Sequence, residues 1–145
     1  MHSLWASTWE PMGLHVTPTL QFVSSGDWSQ KLLNESVGAS AQSSRDGHTV
    51  IVRLTNTADT PTVAKLHVPG FSGGNATNAT SWTLQALMAD GSPDKLAANP
   101  PGDPTRVHPV AAALAAGADG FDQVALPAFA FVVVQYEKGA STNGQ

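Results

Sequence analysis

The sequence predicts an all-β fold, an antiparallel, jelly-roll-like β-sandwich preceded by an irregular N-terminal segment. Three observations lead there. Roughly seven or eight short runs alternate apolar and polar residues with period two, the pattern of half-buried strands. Frequent turn signals separate them, with 13 glycines and 10 prolines among 145 residues. No interdomain linker or internal repeat breaks the pattern, so one domain is expected, long enough to bury its own core. We divide the chain into residues 1–27, irregular with room for one strand, residues 28–138, the sandwich, and residues 139–145, a frayed tail.

Taken in order, residues 1–27 are rich in Trp, Ser, Thr and Pro. Their one stretch of partial alternation is Leu14-His-Val16-Thr-Pro-Thr-Leu20-Gln-Phe22, interrupted at Pro18. Gly26-Asp27-Trp28 reads as a turn. Val37-Gly-Ala39-Ser-Ala41 alternates small residues ahead of Ser43-Ser-Arg-Asp46-Gly47, and Asp-Gly is a strong hairpin dipeptide. In His48-Thr-Val50-Ile-Val52-Arg-Leu54-Thr-Asn56, Val50, Val52 and Leu54 share one face, with Ile51, Arg53 and Thr55 on the other. Residues 57–61 turn the chain into Thr62-Val-Ala64-Lys-Leu66-His-Val68, expected to pair with the preceding strand as a hairpin. Its Ala64, Leu66 and Val68 point inward, Lys65 and His67 outward.

After a loop at 69–75, residues 81–88 place Trp82, Leu84, Ala86 and Met88 on one face. Val110-Ala-Ala-Ala-Leu114 fits a short helix by propensity and an extended segment by context. Gly117, Gly120 and Pro127 bracket a strand near Val124. The last strand, 129–135, sets Phe129, Phe131 and Val133 against Val132 and Val134, apolar on both faces and therefore central.

Composition excludes several function classes. The net charge is −4, and the seven basic residues are scattered singly, so no patch neutralises phosphates and no nucleic-acid partner is expected. No apolar run approaches the ~20 residues of a membrane-spanning helix, and no membrane partner is expected. The absence of cysteine removes a disulfide framework and the usual zinc ribbons. The N-terminus lacks the basic start and apolar stretch of a signal peptide. No cofactor or metal is expected: Asp90-Gly-Ser-Pro-Asp94 has oxygen ligands without EF-hand spacing, and the Gly-rich run at 70–74 lacks the Lys-Ser/Thr of a phosphate loop.

Candidate site residues are few. Trp5 and Trp9 are the indoles placed for stacking on a sugar; their i,i+4 spacing equally allows packing against the sandwich or another domain. Trp82, on an inward face, reads as core. Three sequons, at Asn34, Asn75 and Asn78, fall in expected loops where a glycan is solvated, and favour an extracellular or secretory-pathway location as part of a parent protein. His67 reads as a surface strand residue.

The residues that suggest kinship are Leu96-Ala-Ala-Asn99-Pro100-Pro-Gly-Asp103-Pro104-Thr-Arg106-Val107-His-Pro109. Four prolines in ten residues cannot supply the hydrogen bonds of a helix or central strand, so this is an extended, ordered crossing held by its Asn, Asp and Arg. Together with the strand ending in Asn56 and the closing Leu126-Pro-Ala-Phe129-Ala-Phe131-Val-Val-Val134, it resembles the C-terminal β-sandwich of the glycoside hydrolase family 51 α-L-arabinofuranosidases. Ala128 and Ala130 depart from the family's usual Pro and Ser.

The resemblance implies a domain that packs against a (β/α)8 catalytic barrel, in cis or in trans, and an unpaired sheet edge. It also implies a parent activity, retaining hydrolysis of terminal α-L-arabinofuranosyl residues from plant-type polysaccharides. That chemistry needs two carboxyl groups about 5–5.5 Å apart, and the family's barrel alone takes roughly 250 residues. The whole chain has three glutamates, Glu10, Glu35 and Glu137. Glu35 follows Asn34 as the family's acid/base follows an Asn, but no barrel strand precedes it, and Glu10 beside Trp9 reads as a loop residue. No catalytic residue is therefore expected. The reading is a non-catalytic accessory sandwich, with a stand-alone carbohydrate-binding module and a structural sandwich without a small ligand as alternatives.

Overall fold

The computed structural model describes residues 14–16, 36–94, 96–114, 116–117 and 119–139. Eight strands are formed among them: β1 (Leu14–Val16), β2 (Val37–Ser43), β3 (Thr49–Asn56), β4 (Thr62–Leu66), β5 (Asn78–Leu84), β6 (Val110–Ala113), β7 (Asp122–Leu126) and β8 (Ala130–Glu137). Six make one sheet in the order β1-β2-β3-β8-β5-β6, and β4 pairs with β7 in a second. Every pairing is antiparallel. The two sheets face each other across the main core, so the expected jelly-roll-like sandwich is what forms.

Alternation dictates which side of each strand is wet. Val50, Val52 and Leu54 of β3 meet Val132, Val134 and Tyr136 of β8, with Val124 and Leu126 of β7 against them. Ala64, Leu66 and Val68 pack on this cluster as expected. Tyr136, Val132, Val133 and Val134 are entirely buried. β8 lies between β3 and β5, which explains why its residues are apolar on both faces. The other face of the six-stranded sheet carries a second cluster, Ile51, Leu84, Phe131 and Val133, with Trp82 and Val107 packed against it. Trp82 is thus half-buried, on the face turned away from β4 and β7.

Three expectations are corrected and one open reading is settled. β4 does not form a hairpin with β3: it crosses to the second sheet and pairs with β7, Ala64 opposite Val124. Alternation reveals a strand's buried face and says nothing of its neighbour, and β3 already has β2 and β8 on its two edges. The strand predicted over 81–88 begins earlier and stops at Leu84, leaving Met88 half-exposed in a turn where Met88 N–H donates to Ser92 O at 2.8 Å. Phe129 precedes β8 with φ of 50°, so it does not share the face of Phe131. Of the two readings open for the alanine-rich segment the extended one holds; β6 is exposed at all four residues and lies at the sheet edge, so it shows no buried face in the sequence.

The proline-rich connection between β5 and β6 is ordered by its side chains. Asn99 Nδ2 donates to Val107 O at 2.9 Å, and Val107 N–H donates to Asn99 Oδ1 at 2.6 Å. Arg106 Nη2 reaches Asp94 Oδ2 at 3.2 Å. The prolines rule out regular pairing here, and these contacts replace it.

Candidate functional site

Trp5, Trp9, Glu10, Asn34 and Glu35 all lie outside the described residues. Asn75 is exposed in the turn after Ser72, and its Nδ2 donates to Ser72 O at 2.7 Å. Asn78 is not in a loop, as its sequon suggested: it opens β5 opposite Glu137, with Nδ2 3.3 Å from Glu137 Oε2. The carboxylates of the 90–94 turn are occupied locally. Asp90 Oδ1 accepts from Ser92 N–H and Oγ–H, at 2.9 and 2.6 Å. Asp94 accepts from Leu96 N–H and Arg106. Among the described residues no three His, Cys, Asp or Glu side chains converge on a point where a metal would sit.

What the structure does assemble is a strip on the outer face of the second sheet. Exposure alternates without exception from Pro61 to Val68 and from Phe121 to Leu126. The outward side chains therefore pair across the strands, Val63 with Ala125 and Lys65 with Gln123. One step beyond the strands, the rings of His67 and Phe121 stand 5.1 Å apart at 45°. Lys65 Nζ lies 6.0 Å from the Phe121 ring centroid and 3.3 Å from Asp119 Oδ2. At the opposite end, Pro61, Thr62, Val63, Ala125, Leu126 and Pro127 line a shallow apolar hollow of about 300 Å³.

The Phe121 end of the strip is held from beneath. Asp122, buried among apolar side chains, accepts from Gly73 N–H at 3.1 Å and Gly117 N–H at 3.3 Å. Ser72 Oγ donates to Gly120 O at 2.9 Å. Two glycine-rich turns, 70–74 and 117–120, are thereby fastened to one carboxylate. Sequence reasoning placed His67 and Lys65 outward correctly and missed Phe121. Its one available signal was Asp-Gln-Val-Ala-Leu alternating directly behind a lone aromatic.

Tyr136, on the buried face near Asp122, makes no hydrogen bond through its hydroxyl among the described residues. Burial, followed by the Asp122 charge, raises its pKa above the ordinary phenol value. The folded state therefore holds the phenol proton more tightly than the unfolded state. The stability tied to that proton is complete below about pH 10, the unfolded pKa, and falls above it by up to about 1.4 kcal/mol per pH unit. Because the chain has a single tyrosine, Tyr136→Phe is expected to flatten this alkaline loss in urea unfolding between neutral and alkaline pH. Parallel curves for the two proteins would show that the phenol is not the responsible group.

No family model and no curated protein matches the sequence. Solved structures do. The fold is similar to a family 51 α-L-arabinofuranosidase from Thermotoga petrophila RKU-1, 18% identical over 70% of this chain and 19% of that one, with a TM-score of 0.54. The family 51 arabinofuranosidase from Xanthomonas axonopodis pv. citri is 27% identical over the same shares, 70% and 19%, with a TM-score of 0.52. A family 30 endoxylanase from Clostridium papyrosolvens C71 is 14% identical over 92% of this chain and 25% of its own, with a TM-score of 0.54. The sandwich thus has the fold of a domain of the family 51 enzymes. The chain spans about a fifth of the length of those arabinofuranosidases.

Proposed function

We propose that this chain is a non-catalytic accessory β-sandwich that packs against a (β/α)8 glycoside hydrolase barrel, supplied in cis or in trans, and braces it. The observation that supports the reading is one of proportion: the fold accounts for about a fifth of each similar arabinofuranosidase, leaving ample length for a barrel elsewhere in those enzymes. The surface is consistent with docking. Leu87, Met88, Leu96 and Val110, four of the large apolar side chains exposed among the described residues, all fall between residues 87 and 110.

On this reading the parent activity is retaining hydrolysis of terminal α-L-arabinofuranosyl residues from plant-type polysaccharides, outside the cell, with glycans carried at Asn34, Asn75 or Asn78 where the host attaches them. The test is to express the chain with the barrel encoded beside it. The two should co-elute in equal amounts, Leu87→Asp with Met88→Asp should separate them, and the sandwich alone should release no arabinose from a nitrophenyl arabinofuranoside. Absence of any barrel in the surrounding coding region, or failure to co-elute, sinks the proposal. Binding of sugar by the sandwich itself is the second reading, and the strip around Phe121 favours it.

A further inference from the structure

We propose that the outer face of β4 and β7 is a binding strip for a neutral polysaccharide chain, with Phe121 as its stacking platform. The choice of sugars as ligand class rests on the glycoside hydrolase reading; the location rests on the geometry. From His67 to Val63 the strip runs four residues along β4, about 13 Å at the rise of a strand, or about two sugar rings. Phe121 remains 37% exposed, whereas nearby Phe71 is buried. The part of the ring that His67 and Lys65 leave exposed is available to the C–H face of a sugar.

The groups around that ring argue for a neutral ligand. Lys65 and Asp119 stand 3.3 Å apart, and their charges cancel. The face therefore selects neither an anion nor a cation. It offers donors and acceptors together, from Lys65, Asp119, His67 and Gln123, around one apolar ring. A pyranose or furanose has the complementary form, apolar on one side and ringed by hydroxyls that both donate and accept. The platform is also held in place before any ligand arrives. Gly120 and Asp122, the neighbours of Phe121 on either side, are bonded to Ser72 Oγ and Gly73 N–H, which lowers the ordering cost of binding. The strip and the Trp82–Val107 cluster lie on opposite outer faces of the sandwich.

The experiment is affinity electrophoresis of the full chain through gels containing arabinan, arabinoxylan, xylan or galactan, with a uronate-rich polymer for comparison. Retention by at least one neutral polymer is expected. Phe121→Ala should weaken it tenfold or more and Lys65→Ala or Gln123→Ala several-fold, with melting temperatures unchanged. Trp5→Ala and Trp9→Ala should leave it intact. No retention on any neutral polymer, retention indifferent to Phe121→Ala, retention lost only with Trp5 or Trp9, or salt-sensitive preference for the uronate polymer each overturns the proposal. Co-elution with the barrel is read separately: a Phe121→Ala chain should still co-elute, and a chain that binds sugar without co-eluting fails only the accessory-domain reading.

Discussion

Replacing Asn56 by aspartate is expected to lower the unfolding free energy by roughly 4 kcal/mol, and by alanine roughly 3 kcal/mol. Asn56 ends β3, is 2% exposed, and joins the two sheets. Its Nδ2 lies 2.9 Å from Thr60 O, 3.0 Å from Pro127 O and 3.2 Å from Leu126 O. Its Oδ1 accepts from Ala58 N–H at 3.0 Å. One amide thus fastens the turn that carries the chain from β3 to β4 and the turn that returns it from β7 to β8.

Alanine leaves those buried carbonyls and one N–H without partners. Aspartate has the same shape with the wrong chemistry, since it turns a second acceptor oxygen toward three carbonyl oxygens. The variant carboxyl would be driven to protonate, so part of the loss should return as pH falls below neutrality. Against a typical domain stability of about 5–15 kcal/mol this is a large fraction. Urea unfolding at neutral and mildly acidic pH measures it, and a cost under about 1 kcal/mol for the aspartate variant would mean that water already serves the cluster.

The same residue illustrates what was legible in the sequence. The alternation of Val50, Val52 and Leu54 marks a strand and its buried face, because burial on one side of a pleat imposes period two directly on the residues. That Asn56 spans both sheets was not legible, because its partners Leu126 and Pro127 lie 70 and 71 residues away. The misplacement of β4 has the same origin: pairing is a non-local decision, and Lys65 meets Gln123 only once the fold exists. The sequence leaves β6 open between helix and strand for a different reason. With every side chain exposed and three of the four alanine, no burial pattern contests the helical propensity of alanine. The proline crossing was read in part: proline's missing N–H leaves the connection to side chains, and Asn99 and Arg106 are two of them, but the aspartate that holds Arg106 is Asp94, ahead of the crossing, and not Asp103 within it.

The candidate strip was legible only by half. His67 and Lys65 announce themselves on an alternating strand, whereas Phe121 sits behind Gly120 and reads as loop until Asp119 reaches Lys65 across 54 residues. Its position depends on backbones that nearly touch, which makes glycine the residue to test. Gly73 has φ of 69°, and a Cβ there would stand 2.6 Å from Gly120 Cα and 3.1 Å from Gly120 C. Gly47, at φ of 71°, has nothing within 4 Å of the same position. Both alanine variants meet the left-handed penalty of about 1–2 kcal/mol, and Gly73→Ala adds an overpacking cost of roughly 1–3 kcal/mol. Gly73→Ala should therefore destabilise by roughly 3 kcal/mol and Gly47→Ala by about 1 kcal/mol in urea unfolding. Because Gly120 can move aside only by carrying Phe121 with it, Gly73→Ala should also weaken retention on neutral polysaccharide, while Gly47→Ala leaves it unchanged. Equal costs for the two variants would show that the turns at 73 and 120 do not approach as closely as the geometry requires, and the platform would lose its support.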